Sequence, residues 1–179
     1  PEWFIGSAFL SRKQPKEVKA IPISTDAAAI IRGYNGHEVK AITATVSLAK
    51  NRSVHIVVTH PLHLRPTIIS EHYVGTRNIE KLIHSKKYST NTILGGDINE
   101  PGFMPKSLRM KLRDSMHFRS GSPFSPTWRH NAYKYTLIRA NLDQLFWSKD
   151  SFFKLEKFEV LDSNVSDHRP LFAEFSYKS

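Results

Sequence analysis

The chain has 179 residues, 40% of them hydrophobic and 11% aromatic, which is enough for one sizeable core and favours a single domain over residues 1–179. It has no cysteine, which excludes disulfides, thiolate metal sites and thiol catalysis. A net charge of +10 makes a polyanionic partner plausible, such as nucleic acid, anionic lipid or a phosphorylated substrate, although a basic surface can also serve solubility alone. No apolar run reaches the roughly 18 residues of a bilayer-spanning helix, so a soluble domain is expected and the compartment is left open. The opening Pro1-Glu2-Trp3 reads as the interior of a longer sequence, in which any targeting segment would lie upstream.

Short apolar segments lie at Ser7 to Ser11, Val18 to Ile23, Ala27 to Tyr34 and Glu38 to Val46. Asn35-Gly36 marks a hairpin between the last two. Val54 to Thr59 is almost entirely β-branched, which predicts a strand buried on both faces and ended by His60-Pro61. A helix is expected over about Glu71 to Lys86, with Val74, Asn78, Ile79, Leu82 and Ile83 inward and Arg77, Glu80 and Lys81 outward. Thr92 to Gly96 reads as a strand stopping at Asp97. A second, basic helix is expected over about Lys106 to Met116, with Leu108 and Leu112 inward and Lys106, Arg109, Lys111 and Arg113 facing solvent. Leu142 to Trp147, Lys154 to Leu161 and Leu171 to Phe175 supply later strands. The grouping of strands fits two packed sheets flanked by helices better than a doubly wound sheet.

Four segments carry the chemistry: Thr59-His60, Gly95-Gly96-Asp97-Ile98-Asn99, Leu142-Asp143-Gln144 and Ser166-Asp167-His168-Arg169-Pro170. Three of them end or interrupt an apolar run, which would bring a polar side chain to the rim of a rigid frame. If the strand continues past Asp97, Asp97 and Asn99 share a face, where one accepts a proton from water and the other donates to a phosphate oxygen. Alone, Gly-Gly-Asp is equally a loop start. Asp167 and His168 can serve one site only from a bend, which Ser166 and Pro170 supply; His168 would then polarise a phosphoryl oxygen and Asp167 ligate or orient a metal. Asp143 interrupts an apolar strand, so its carboxylate needs a partner, and the His168 imidazolium is the natural one. An isolated His60 is usually structural; here it joins three other polar strand ends. His55, His63, His72, His84 and His130 are read as surface or packing residues.

The ordered set of these segments resembles the endonuclease/exonuclease/phosphatase superfamily of metal-dependent phosphoesterases, the DNase I-like proteins. Gly6-Ser7-Ala8-Phe9-Leu10-Ser11-Arg12 is similar to an early strand of the family and Pro126-Thr127-Trp128 to a segment common in its bacterial members, so the likeness runs from about residue 6 to 176. The resemblance implies an α/β (α+β) four-layered sandwich of two mixed β-sheets flanked by helices, with the site at one end. It implies that Asp97 activates water, that Asn99 holds phosphate or water, and that Asp167 helps bind Mg²⁺ or Mn²⁺. It further implies that His168, supported by Asp143, contacts the scissile phosphate and that His60 stabilises the phosphate or leaving group. The family also carries an asparagine and a metal-binding glutamate upstream of the Gly6 segment. This chain begins after that point, so the domain is expected to be incomplete at its N-terminus. Gln144 stands where many members have histidine.

The resulting expectation is a Mg²⁺-dependent phosphodiesterase of nuclease type, monomeric, with no stable protein partner. Lys106 to Arg113, Arg129 and Arg139 would track a phosphate backbone or simply form a solvated face, and Arg129 is expected to bind substrate. Arg119 to Tyr135 is the expected specificity loop. Two alternatives stay open. One is a phospholipid or inositol-phosphate phosphoesterase, with Trp3, Phe4, Phe152 and Phe153 touching a membrane or packing in the core. The other is a non-catalytic polyanion-binding module.

Overall fold

The computed structural model describes residues 8–25, 38–48, 51–62, 69–100, 106–122, 124–132, 136–163 and 165–178. Strands β1 (Lys16–Thr25), β2 (Glu38–Ser47) and β3 (Ser53–Val58) precede helix α1 (Ile69–His84). Strand β4 (Thr92–Asp97), helix α2 (Leu108–Leu112) and strand β5 (Met116–Ser120) follow. The chain ends with β6 (Trp128–Ala132), β7 (Thr136–Ala140), β8 (Asp143–Ser148), β9 (Phe153–Val160) and β10 (Leu171–Tyr177). Six strands form a mixed sheet in the order β1-β2-β3-β4-β8-β5, in which only β3 and β4 run parallel. Strands β9 and β10 form one antiparallel ribbon, and β6 and β7 another.

Side-chain alternation gives the sheet two buried faces. Val57, Leu94 and Phe146 point to one side and pack with Ile79 and Ile83 of α1 and with Leu108 and Leu112 of α2. Val54, Ile56, Ile93, Leu145 and Trp147 point to the other side and meet Phe153, Leu155 and Phe175 of the β9–β10 ribbon. The layers are therefore helices, mixed sheet and β-ribbon. Trp147 and Phe153 each make an edge-on contact with Phe175, at centroid distances of 5.8 and 5.3 Å. Among the described residues no helix is long and apolar enough to cross a membrane.

Two helical expectations need correction. The buried stripe of α1 consists of His72, Gly75, Thr76, Ile79 and Ile83, whereas Val74 is 49% exposed. The polar residues of that stripe have partners or small volume that the inner face needs, so hydropathy alone placed the stripe a quarter-turn off. The second helix is a single turn and does not reach Met116. Ser107 starts it, its hydroxyl accepting from the Met110 amide at 3.4 Å, and a turn at residues 113–115 then feeds Met116 into β5, which pairs with β8. Lys111 does not face solvent: its ammonium donates to Thr76 Oγ1 at 2.8 Å, and burial lowers its pKa. The segment 119–132, expected as a loop, contains the end of β5 and all of β6. The expected segments at Ser7 and Ala27 to Tyr34, the Asn35-Gly36 turn, Trp3 and Phe4 lie outside the described residues.

Phe146 is 1% exposed at the centre of the helix-side core. Phe146→Ala is expected to lower the unfolding free energy by about 3–5 kcal/mol in urea denaturation. Val74→Ser should change it by less than about 0.5 kcal/mol, the outcome that an inward Val74 would not give.

Candidate active site

Strands β3 and β4 are parallel, so their C-terminal ends lie side by side, and β8 begins beside the end of β4. This places three of the polar segments at one rim of the sheet. Asp97 and Asp143 are direct cross-strand partners in the β4–β8 register. The approach of β3 depends on Gly96, whose φ is +146°; a Cβ there would lie 2.0 Å from the Thr59 carbonyl oxygen. With that room, the Thr59 amide donates to the Gly95 carbonyl at 3.1 Å and His60 Nε2 comes within 3.5 Å of Asp97 Oδ2.

The fourth segment docks onto the start of β6. The Arg129 amide donates to the Asp167 carbonyl at 2.9 Å, and the Arg169 amide to the Thr127 carbonyl at 2.7 Å. His168 and Trp128 thus form an isolated antiparallel bridge. Thr127 joins this segment to β8, because its hydroxyl accepts from the Asp143 amide at 3.0 Å. The outcome is that His168 Nδ1 donates to Asp143 Oδ2 at 2.9 Å, while Nε2 faces Asp97 Oδ2 at 3.7 Å, beyond hydrogen-bond length. The carboxylate fixes which ring nitrogen carries the proton and leaves Nε2 facing the rim.

Electrostatics follow from this crowding. Burial works against the His168 imidazolium, yet the hydrogen bond and charge of Asp143, with the charges of Asp97 and Asp167, outweigh it and raise its pKa. The Asp143 pKa is also raised, first by burial and further by Asp97, against the opposing pull of His168. Both members of the pair therefore hold a proton more readily than they would in water. Burial would raise Asp167 as well, but the Trp128 indole, the His168 charge, its own backbone amide and the Ser166 hydroxyl together lower it.

The structure thus brings His60, Asp97, Asp143 and His168 together, with Asp167 adjacent. Asn99 borders the group, with its side chain turned inward. The chain leaves extended geometry after Asp97, and Asn99 has φ +56°. Its side chain is 5% exposed and donates through Nδ2 to the Pro61 carbonyl at 2.8 Å, while its amide donates to Asp97 Oδ1 at 2.8 Å. Asn99 accordingly ties the β3 end to the β4 end and orients Asp97. Arg129 is half-buried, and its Nε has no hydrogen-bond partner among the described residues.

Sequence reasoning missed the support beneath the rim. Glu100, 1% exposed, takes His72 Nε2 on one carboxylate oxygen at 2.9 Å and the Leu108 amide on the other at 2.6 Å. Its carbonyl accepts from Gln144 Nε2 at 2.6 Å. Gln144 therefore points away from His168, into the helix side. His72 Nδ1 completes the network by donating to the Leu62 carbonyl at 2.5 Å. The position of Glu100 just past a strand end was the available signal, and it has no periodicity to expose it.

Among the described residues, no group of three or more His, Cys, Asp or Glu side chains is arranged to hold a metal ion. Asp167, the expected ligand, accepts from the Trp128 indole at 3.0 Å on one oxygen and from the Ser166 hydroxyl at 3.3 Å on the other. These residues alone do not fit a resident Mg²⁺ or Mn²⁺, which needs several oxygen donors in near-octahedral array.

A raised pKa means that the stabilisation from His168 is complete below its unfolded-state value and is lost as pH rises through its folded value. NMR titration should place His168 above the ordinary histidine range, and Asp143→Asn should return it to lower pH by removing the largest favourable contact. An unchanged midpoint in that variant would contradict the pairing. Gly96→Ala should cost at least about 2 kcal/mol, since backbone must move to admit the methyl group; urea denaturation measures it.

No protein-family model matches the chain, and no curated protein matches it. Solved structures do. The endonuclease/exonuclease/phosphatase from Beutenbergia cavernae DSM 12333 superposes with a TM-score of 0.68 at 16% identity, over 93% of this chain and 46% of that one. The human Nocturnin catalytic domain with bound sulfate gives 0.65 at 18% identity, over 95% and 62%. Truncated Caenorhabditis elegans TDP2 gives 0.58 at 16% identity, over 90% and 65%. The chain thus spans less than two thirds of the length of these three structures. Mixed sheet and few helices agree with them, and the chain has the DNase I-like fold of the endonuclease/exonuclease/phosphatase structures.

Proposed function

We propose that the chain hydrolyses phosphodiesters by attack of water and that its substrate is nucleic acid. One observation carries the reading: two imidazoles flank the Asp97 carboxylate, His60 at 3.5 Å and His168 at 3.7 Å, and the second is held by a further carboxylate, Asp143, at 2.9 Å. Packing alone has no use for this arrangement at an exposed rim. Asp97 takes a proton from the attacking water as its oxygen bonds to phosphorus. The protonated His168 donates from Nε2 to a phosphoryl oxygen, and the charge building there strengthens that bond in the transition state. His60, on the other side of Asp97, protonates the leaving oxygen as its bond to phosphorus breaks. Asp143 orients His168, and Asn99 orients Asp97.

Nucleic acid is favoured by the charge of +10 and by exposed Lys106, Arg109 and Arg113 beside α2, with Arg139 on β7. The two described aromatics expected to touch a membrane, Phe152 and Phe153, pack instead. Phe153 is 4% exposed within the sheet–ribbon core, and Phe152 is half-buried between Phe153 and Tyr177 under the Arg52 guanidinium.

The full-length protein, incubated with plasmid and with end-labelled oligonucleotides in the presence of Mg²⁺ or Mn²⁺, should cleave both or one of them. Asp97→Ala and His168→Ala should each lower the rate by about 10²-fold or more. Cleavage by both variants at the parental rate, or none by the parent, would overturn the nuclease reading and leave the phospholipid or inositol-phosphate phosphoesterase and the non-catalytic polyanion-binding module. Because the protonated His168 is the competent form here, the rate should fall as pH rises through its raised pKa.

A further inference from the structure

Phe124 is 94% exposed and Val165 is 96% exposed. The two side chains stand on separate loops that both lead into the candidate active site. Phe124 precedes Thr127, whose hydroxyl holds Asp143, by three residues; Val165 precedes His168 by three. Three residues of chain span at most about 10 Å, which puts each side chain within one or two nucleotides of the rim.

The Phe124 loop is built rather than slack. Ser122 and Ser125 exchange backbone hydrogen bonds of 3.0 and 3.1 Å, closing a turn with Phe124 inside it. Gly121 permits that closure, since a Cβ there would come within 2.4 Å of the Ser125 carbonyl oxygen. Arg169, 9% exposed, then clamps this turn to the His168 segment. Its Nη1 donates to Ser125 Oγ at 3.1 Å and to the Pro126 carbonyl at 3.4 Å, and its Nη2 pairs with Asp162 at 3.2 Å. A fixed turn next to the site thus holds an aromatic ring out in water, with a second apolar side chain on the loop clamped to it.

We infer that Phe124 and Val165 form an apolar rim on which an unpaired nucleobase beside the scissile phosphate stacks, so that the site prefers single-stranded nucleic acid to duplex. The inference rests on the hydrolase reading for its location and on charge for its occupant. Half-buried Arg129 and exposed Arg139 are cross-strand partners on the adjoining β6–β7 ribbon and suit a polyanion that carries flat apolar groups. A base offers its face to a protruding ring only when it is not stacked inside a duplex, and stacking on aromatic side chains is tolerant of sequence.

The test is fluorescence anisotropy with labelled oligo(dT) and a matched duplex, on the full-length protein and its variants. Phe124→Ala should weaken oligo(dT) binding about 10-fold, Phe124→Trp should restore it, and Val165→Ser should weaken it less. Duplex binding should stay within about twofold in all three. Parental oligo(dT) affinity in Phe124→Ala, or an equal loss on duplex, overturns the inference. So does a Phe124-dependent sedimentation with phosphatidylglycerol vesicles at unchanged oligo(dT) affinity, which would make the rim a lipid contact. Failure of the hydrolase reading is distinct: a protein that cleaves nothing yet loses oligo(dT) affinity on Phe124→Ala keeps the stacking rim and loses only the reaction.

Discussion

Two carboxylates directly opposite each other on neighbouring strands govern the rest of this rim. Asp97 and Asp143 share one register position of the β4–β8 pair, where like charges repel and destabilise a sheet. The fold answers with imidazoles, one from the end of β3 and one from the segment before β10. Each requires its own piece of backbone engineering. His60 arrives because Gly96 lets Thr59 approach, and His168 arrives because residues 167–169 pair with the first residues of β6. Thr127 serves both sides of the second arrangement, since its carbonyl receives Arg169 and its hydroxyl receives Asp143. A local conflict at a sheet rim, compensated from two remote segments, is what function demands and packing avoids.

The layers explain why the conflict can be maintained. Asp97 and Asp143 continue the alternation of Ile93, Leu145 and Trp147, so they belong to the ribbon side of the sheet, where the chain from β9 to β10 can reach them. Immediately after Asp97 the chain crosses to the helix side. The left-handed backbone at Asn99 makes that crossing, and Glu100 anchors it to His72, to the first turn of α2 and to Gln144. A carboxylate with its histidine partner removed would be left buried without compensation, which costs about 3–5 kcal/mol in comparable cases. The segment that aims Asp97 is thereby tied to both helices.

Much of this could be read from the residues. Strands β3, β4 and β8 are apolar runs broken by one polar side chain, and a carboxylate inside Leu142 to Trp147 needs a partner whatever the topology. That demand made Asp143–His168 legible. The failures have equally physical sources. Lys106 to Met116 carries a helical pattern, but a single turn and a strand of the same composition look alike until β8 claims Met116 to Ser120 as its neighbour. Val74 lost its inward place to His72 and Thr76 because buried polar groups with partners are invisible to hydropathy. The shared face of Asp97 and Asn99 depends on extended geometry persisting past Asp97, and the positive φ at Asn99 that ends it cannot be seen in a list of residue types.

The basic charge and the acidic rim belong to one design. In the proposed reaction an anionic substrate would meet three carboxylates, Asp97, Asp143 and Asp167, gathered around His168. Those carboxylates repel it at short range, so its attraction must come from elsewhere, and the lysines and arginines that give the chain +10 supply it over about a Debye length. The same carboxylates favour the proton on His168, which turns a repulsive cluster into one that presents a hydrogen-bond donor to the phosphoryl oxygen of the proposed substrate. Removing a carboxylate would therefore do two opposing things: ease the approach of the substrate and weaken the imidazolium that receives it. The lysines and arginines offset the repulsion but do not replace the lost hydrogen-bond donor, so the loss of the imidazolium dominates, and in the proposed reaction the acidic rim is a condition for binding a phosphate rather than an obstacle to it.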